Sequence, residues 1–467
     1  MGLLRSRRRA IAGLNWVKLT LGLGICCARF NFAAKSHILH YRFHHHKNRL
    51  SLRRHTLWNL AGNALPLLAG VFFIPYCLNQ LGYEAFGVLT LIWSLIGYFS
   101  LFDLGVGRAL TYEISHLIKS DRAQDISNTV YAGLGLTAVT GAIGGLVIYC
   151  LADPLASSWL KVAPEWQADT RLAFEIAGLG IIFTTLTSGL RGVQEALGNF
   201  GLANVNKIFL GTCMFSLPAV SIWAHGPQLW VIAVYLLLAR VVVFLMSCVQ
   251  LRQYLLTRIE VQKMLDLIRP LLSFGGWVSV SGVISPLMVY GDRFFVSALV
   301  GSALLPIYAI PQEALQRLLM FPAAFAGALL PKIVGINKLE RKSYYQLSVK
   351  RMTWFMLPLC LLAASLAHPI LELWISPDFA NAALPIILIL SVGIWLNSIA
   401  TIPYTFLHGV GSTKSTALIH LFELGIYLLC LYFLVKTLGL PGAALAWTLR
   451  VGLDLVLLQM AVKKYVD

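Results

Sequence analysis

The sequence predicts an all-α polytopic membrane protein of about twelve transmembrane helices, set in two pseudo-symmetric six-helix lobes around a central cavity. Three observations lead there. The 467 residues are 58% hydrophobic and only 12% charged, against roughly 45–50% and about 25% in soluble domains, an excess that no soluble core absorbs. Apolar runs long enough for a bilayer, which takes about 20 residues per crossing, follow one another with short connections. The chain also echoes itself at a drifting offset near 220 to 210 residues.

The runs lie near 57–79, 86–107, 127–150, 172–190, 208–224, 229–249, 271–290, 305–330, 352–373, 383–404, 417–435 and 440–462. Lys and Arg alternate between their connections. Eighteen sit in one set of loops, among them Arg108, Arg191, Lys207, Arg258, Lys342 and Lys463, and four in the other: Lys161, Arg171, Arg293 and Lys436. The positive-inside bias places the richer set, and both termini, in the cytoplasm.

The echo pairs Gly62-Asn-Ala-Leu-Pro66 with Gly282-Val-Ile-Ser-Pro286, and Leu190-Arg-Gly-Val193 with Leu407-His-Gly-Val410. It also pairs Gly201-Leu-Ala203 with Ser415-Thr-Ala417, and Arg240-Val241 with Arg450-Val451. Six helices per repeat is an even number, so both lobes keep one orientation about an axis along the membrane normal. The expected division is a basic N-terminal extension at 1–56, a first lobe at 57–250, a cytoplasmic linker at 251–270 and a second lobe at 271–467.

The net charge of +17 is local. Residues 1–56 hold twelve Lys/Arg, no Asp/Glu and six of the eleven His, leaving +5 for the rest, so nucleic-acid binding is not expected. An Arg-rich, acid-free start suits a mitochondrial-type presequence. Upstream translation of residues 1–49 from a wrongly chosen start is the alternative we favour. His44-His45-His46 lacks neighbours to complete a metal site. The cysteines lie singly in apolar runs (Cys77, Cys150, Cys213, Cys248, Cys360, Cys430) or adjacent (Cys26, Cys27), the pattern of small buried hydrophobes rather than of a disulfide framework.

Leu81-Gly-Tyr-Glu-Ala-Phe-Gly87 leading into Leu101-Phe-Asp-Leu-Gly-Val-Gly-Arg-Ala-Leu110 resembles the opening helices of Wzx-type oligosaccharide flippases, in the multidrug/oligosaccharidyl-lipid/polysaccharide exporter superfamily. Leu190-Arg-Gly-Val-Gln-Glu-Ala-Leu-Gly-Asn-Phe-Gly201, Gly291-Asp-Arg-Phe294 and Gly442-Ala-Ala-Leu-Ala-Trp-Thr-Leu-Arg450 extend the resemblance, which begins at about Leu50 with Leu50-Ser-Leu-Arg-Arg-His-Thr-Leu57. It implies two six-helix bundles in a bacterial inner membrane. It also implies movement of polyprenyl-diphosphate-linked oligosaccharide from the cytoplasmic to the periplasmic leaflet, for O-antigen, capsule or exopolysaccharide (lipopolysaccharide and polysaccharide biosynthesis). Membrane lipids, a polysaccharide polymerase and chain-length proteins are the implied partners. A monomer without cofactor is expected, coupled to an H+ or Na+ gradient. A drug or cation antiporter on the same fold is the alternative. A membrane polymerase or glycosyltransferase is disfavoured, because the longest outward loop, 151–171, is too short to fold alone.

Charges inside spans usually face a cavity: Asp103, Glu175, Arg240, Glu313, Arg317, Glu423, Arg450 and Asp454. Arg240 and Arg450 lie about 16 Å into their helices, near the midplane, at matching repeat positions. They are expected to face each other and hold the diphosphate with their guanidinium forks, with Arg317 nearby. Arg450 has Asp454 at i+4, which favours a helix staple there. Glu313 and Arg317 form another i,i+4 pair, expected to be structural. Asp103 and Arg108 brace or gate the inner end of the second helix. Glu423, three residues after His420, and Asp454 are candidates for carrying a coupling proton. Pro66, Pro218, Pro286, Pro311 and Pro322 are candidate kinks.

Overall fold

The computed structural model describes residues 48–101, 105–120, 122–257, 260–335 and 338–466, with side chains from 65 onward outside short stretches of which 272–286 is the longest. The chain divides into two compact units, Met1–Ala61 and Gly62–Asp467. The expectations for residues 1–47, the histidine triplet included, lie outside the described residues, as does Asp103.

The described residues form thirteen α-helices of more than one turn. They are α1 Asn48–Leu101, α2 Val106–Lys119, α3 Ile126–Pro154, α4 Pro164–Ala196, α5 Phe200–His225, α6 Leu229–Gln250, α7 Val261–Val300, α8 Leu305–Gln316, α9 Met320–Gly335, α10 Lys338–Trp374, α11 Pro377–Gly409, α12 Thr413–Leu438 and α13 Leu440–Val466. Ten stretches among them are long and apolar enough to cross a bilayer. The first, Leu65–Tyr98, is two crossings in one. Gly82 has φ +73°, a backbone that L residues rarely adopt, and Phe215 touches both Gly70 and Trp93. A straight helix would hold those two about 34 Å apart, so α1 folds back at Gly82. Counting that hairpin and α7, 40 residues long, the spans number twelve, in the expected order.

Several helices run beyond their apolar stretches. α7 starts at Val261 and ends at Val300, where Gly301 takes φ +97°. Arg293, expected in an outward loop, is therefore inside α7 and 3% exposed. Arg171, expected beside it in the loop set, lies in α4 and binds Glu175 (3.0 Å) and Asp153 (3.2 Å) on the exposed surface. Lys207 and Arg191, read as inner-loop charges, lie in α5 and α4. The linker is short, a single helical turn at Arg252–Leu255 before α7. Cys77 and Cys360 are buried as expected, but Cys150 is exposed.

Without water in the hydrocarbon, helices associate through small residues that let backbones approach. In α3 the faces are sorted accordingly. Val139, Ile143, Leu146 and Val147 point outward to lipid, whereas Thr137, Thr140, Gly141, Gly144 and Gly145 are buried against α4. A Cβ on Gly145 would stand 2.6 Å from the Gly178 carbonyl oxygen, and Thr185 donates across the seam to the Thr137 carbonyl at 2.9 Å. α2 meets α4 just as closely. A Cβ on Gly192 would lie 2.2 Å from the Gly107 carbonyl, and Thr111 donates to the Gly192 carbonyl at 3.0 Å.

Helices α1 to α6 and α8 to α13 pack as two groups, and α7 touches α2 and α3 of the first as well as α8, α12 and α13 of the second. The groups also meet through their outward ends. Ser297 donates to the Leu160 carbonyl (3.2 Å), Lys161 to the Leu299 carbonyl (2.6 Å) and Trp374 to the Val71 carbonyl (2.6 Å). Tyr83 stacks on Phe379, and Gly87 leaves room for the Ser302 carbonyl, which a Cβ there would meet at 2.0 Å. These contacts close the two groups against each other at the end where Gly82, Leu160 and Gly301 lie.

Gly192→Val should force α2 and α4 apart, at a cost of about 1–3 kcal/mol typical of overpacking. A fall in midpoint of thermal unfolding in detergent, with lower yield in the membrane, is the expected result. An unchanged melting curve would mean that the α2–α4 seam is not as tight as described.

Candidate functional site

A cavity of about 300 Å³ opens within the first half, between α1, α4, α5 and α6. Its wall changes character along its length. Ile96, Leu236 and Met214 line the deep part with Arg240; Thr184, Thr187 and Ser188 follow; Arg191, Gln194, Asn206, Lys207 and Ser247 line the part toward the inner helix ends. Three cations and no carboxylate line it.

Arg240 sits at the deep end. Its side chain passes over Gly180, where a Cβ would stand 3.4 Å from Arg240 Cδ, so the glycine gives the guanidinium its channel between α4 and α6. Nη1 donates to the Leu236 carbonyl, Nε has no hydrogen-bond partner, and the residue is 3% exposed. No carboxylate pairs with it among the described residues. A buried ion without a countercharge costs several kcal/mol, so an anion entering the cavity meets a cation already stripped of water. Lys207 lies one helix away, with Arg191 and, from the second half, Arg317 among its charged neighbours. Arg191 is itself paired with Glu195 at 2.8 Å.

The inner wall is a set of interlocked amides. Gln194 donates to Gln250 Oε1 (2.7 Å), Asn206 donates to the same oxygen (3.0 Å) and to Ser247 Oγ (2.9 Å), and Gln250 returns a bond to Asn206 Oδ1 (3.1 Å). They tie α4, α5 and α6 together where the cavity walls would otherwise be free to splay.

Arg450 does not join Arg240. It is half-buried in the second half, with Nη1 3.7 Å from Met288 Sδ and its guanidinium 5.8 Å from the Tyr427 ring and 5.9 Å from that of Trp447. The two arginines, equivalent in the repeat, therefore have different surroundings. Nor does Arg450 staple to Asp454: the aspartate lies 3.7 Å from His420 Nε2. Glu423 is fully buried, neither of its oxygens meets a donor, and the Asp454 carboxyl and Arg450 are its charged neighbours. Two carboxyl groups and one guanidinium are thus gathered inside the second half.

A second polar chain crosses the same half. Glu313 binds Arg317 (2.6 Å), as expected, but also buried Arg293 (3.0 Å). Arg293 continues to Gln312 Oε1 (3.1 Å) and to Ser94 Oγ of the first half (3.0 Å). Asp292 accepts from Tyr308 (2.7 Å), Gln312 (2.9 Å) and Tyr427 (3.4 Å). Arg317 lies in a 3-10 turn, Arg317–Leu319, with its side chain 43% exposed. Arg108 is exposed on α2. Reading charges from the sequence missed Lys207, Arg191, Arg293 and Asp292; the Gly291-Asp-Arg-Phe294 motif held two of them in plain view.

Comparison with known proteins agrees with this fold. A family model described as polysaccharide biosynthesis protein matches residues 52–337. Over 411 residues the chain is 30% identical to a putative O-antigen transporter of Shigella flexneri, covering 88% of this chain and 97% of that protein. It is 23% identical to the uncharacterized membrane protein EpsK of Bacillus subtilis (strain 168), over 79% of this chain and 73% of that one. In fold it is similar to an inward-facing multidrug resistance MATE family transporter of the MOP superfamily, with a TM-score of 0.71 at 15% identity, over 88% of this chain and 95% of that one. It is similar also to the lipid II flippase MurJ in an inward closed conformation, at 0.69 and 14%, over 88% and 87%. The match covers more than half of the chain's length, and the chain belongs to the polysaccharide biosynthesis protein family.

Proposed function

We propose that the protein is a flippase that carries a polyprenyl-diphosphate-linked oligosaccharide from the cytoplasmic to the periplasmic leaflet of a bacterial inner membrane. The cargo is destined for O-antigen, capsule or exopolysaccharide. The observation that carries this reading is the cavity with Arg240 at its deep end and Lys207 and Arg191 toward its inner end. An unshielded ion in hydrocarbon costs tens of kcal/mol in the Born limit, so a diphosphate crosses only where fixed cations replace its hydration. Guanidinium forks suit phosphate oxygens, and the hydroxyls and amides of Thr187, Ser188, Gln194 and Asn206 suit sugar hydroxyls. The isoprenoid tail stays in lipid.

Transport proceeds by alternating access of the two six-helix lobes, 57–250 and 271–467, about the short linker. The outward end is sealed and the cavity lies toward the inner end, so the conformation is the one that receives cargo from the cytoplasm. The Lys/Arg bias puts both termini on that side. No bond of the cargo is broken, and the relatives are described as transporters. A polymerase and chain-length proteins act on the cargo after it is flipped. The cation antiporter reading fails on the sign of the cavity: three cations and no carboxylate repel a cationic drug.

The Glu423–Asp454 pair supplies the coupling. A proton held there compensates one carboxylate, and its loss leaves Arg450 facing two, a net change of one charge in a closed interior where charges interact strongly. Arg317 contributes from the facing lobe, and Arg108 stands at the inner mouth.

In a deletion strain, lipid-linked repeat units should accumulate on the cytoplasmic side. Arg240→Ala should restore less than about a tenth of surface polysaccharide, the loss expected from one charge-assisted contact, and Arg240→Lys part of it. Full restoration by Arg240→Ala, with normal membrane levels, would remove Arg240 from the cargo path.

Glu423→Gln, which keeps shape and removes the titrating oxygen, should leave cargo binding intact but abolish the response of flipping to an imposed pH gradient in proteoliposomes. A variant as sensitive to the gradient as the parent would place the coupling elsewhere.

A further inference from the structure

Arg293 is the strangest charge in the molecule. It lies inside α7, is 3% exposed, and spends each of its nitrogens on a different partner. Nε donates to Gln312 Oε1 (3.1 Å), Nη2 to Glu313 Oε2 (3.0 Å) and Nη1 to Ser94 Oγ (3.0 Å). Gln312 and Glu313 belong to α8, Ser94 to the opposite lobe. Below the outward seal, then, one guanidinium clips the two lobes together.

Glu313 is the point where this clip meets the cargo route. Its other oxygen, Oε1, holds Arg317 at 2.6 Å. Arg293 is locked in place, whereas Arg317 is 43% exposed and near enough to Lys207 of the first half for their charges to interact. The carboxylate is thus shared by a fixed cation that closes the transporter and a movable cation on the path of an anion.

We propose that Glu313 senses the cargo's anionic group and releases the outward seal. This rests on the reading of the cleft as the route of a diphosphate. A phosphate oxygen at Arg317 competes with Oε1 for its Nη2. Once Arg317 turns to the phosphate, Oε1 is free, and the carboxylate accepts Arg293 as a two-bond fork through Nη1 and Nη2, the favoured geometry for this pair. Nη1 is the nitrogen that holds Ser94, so forming the fork breaks the bond between the lobes. No proton moves and the charge count is conserved: two arginines share one carboxylate before, and afterwards one keeps the carboxylate while the other has the phosphate. The other groups facing Arg293 support the exchange. The Tyr290 ring lies 5.8 Å beneath it, and Asp292 accepts from Tyr308, Gln312 and Tyr427 through Oδ2 while its Oδ1 makes no hydrogen bond, so it holds none of the three guanidinium nitrogens. Ser94 keeps its own bond to the Thr90 carbonyl (2.8 Å) and needs no new partner when Arg293 leaves.

The seal can be read directly. Ser302 is 1% exposed at the lobe contact, so S302C in a background lacking the eight native cysteines reports opening through its rate of reaction with an impermeant maleimide. The protein is held in nanodiscs, with farnesyl diphosphate as the probe anion. The ligand should speed labelling of the parent by about fivefold, the population shift worth roughly one hydrogen bond. S94A and R317A should label about that fast without ligand and respond no further, the first because the clip is absent, the second because Glu313 is already free. E313Q, unable to accept the fork, should label as slowly as the parent and ignore the ligand, while still binding it by native mass spectrometry. Slow labelling of S94A or R317A, or a parent-like ligand response in E313Q, overturns the proposal. Failure of the parent to bind farnesyl diphosphate would instead count against the cleft as a diphosphate route, and S94A and R317A, which need no ligand, test the clip regardless. Matching elution profiles and melting points separate a released seal from a damaged fold.

Discussion

Hydrocarbon offers an ion nothing to bind, and that single constraint arranges this molecule. Each charged side chain within a span must turn inward, find a partner, or stand where an ion of the opposite sign will come. The first lobe uses the third solution and the second lobe mainly the second. Arg240 is left with a backbone carbonyl and a glycine-lined slot at the end of a cavity. In the second lobe, Arg293 and Arg317 share the carboxylate of Glu313, and Glu423 adjoins Asp454 beside Arg450. The arginines at matching places in the two sixth helices differ in surroundings: Arg240 has no countercharge among the described residues, and Arg450 has two carboxyl groups near it.

The same solvent explains why the packing is built from small residues. Apolar burial gives helices no preference for one another over lipid, so close approach and hydroxyl bonds must supply the attraction. Gly145 on Gly178 and Gly192 on Gly107 do this inside the first lobe. Gly87 on the Ser302 carbonyl does it between lobes, at the contact that must part during transport. A seam held by carbonyl contacts and single hydrogen bonds can separate at modest cost, as a broad apolar interface could not.

Much of this was legible in the sequence. The twelve spans followed from apolar runs, and Arg240 stood out because it has no acidic neighbour in its helix and lies far from either end. What misled was the rule that a charge ends a span. Lys207 looked like a loop residue because the apolar run begins at Ile208, yet α5 starts at Phe200, just after Gly198 with φ +75°. Arg293 was placed outside for the same reason, although α7 runs on to Gly301. In both cases glycine, which alone turns the chain easily into the left-handed region, marks the boundary, and charge marks the interior function. The divergence of Arg240 and Arg450 was not legible, because it depends on Met288, Tyr427 and Trp447 arriving from other parts of the chain.

On the proposed reading cargo and proton bind in different lobes, which raises the question of how either could influence the other. A physical link requires one element with two positions that both sites bias, and α7 has the necessary contacts. Met288 touches Arg450 beside the Glu423–Asp454 pair. One turn on, Asp292 reaches Tyr427, over whose ring Arg450 lies, and Arg293 reaches the Glu313–Arg317 pair and Ser94. One turn further, Ser297 bonds the Leu160 carbonyl in the outward seal. Three turns of one helix thus touch the proton site, the cleft-facing cation and the seal. A shift of α7 by a fraction of a turn would alter all three together, so a helix read from sequence as one span among twelve is the part through which the two lobes exchange free energy.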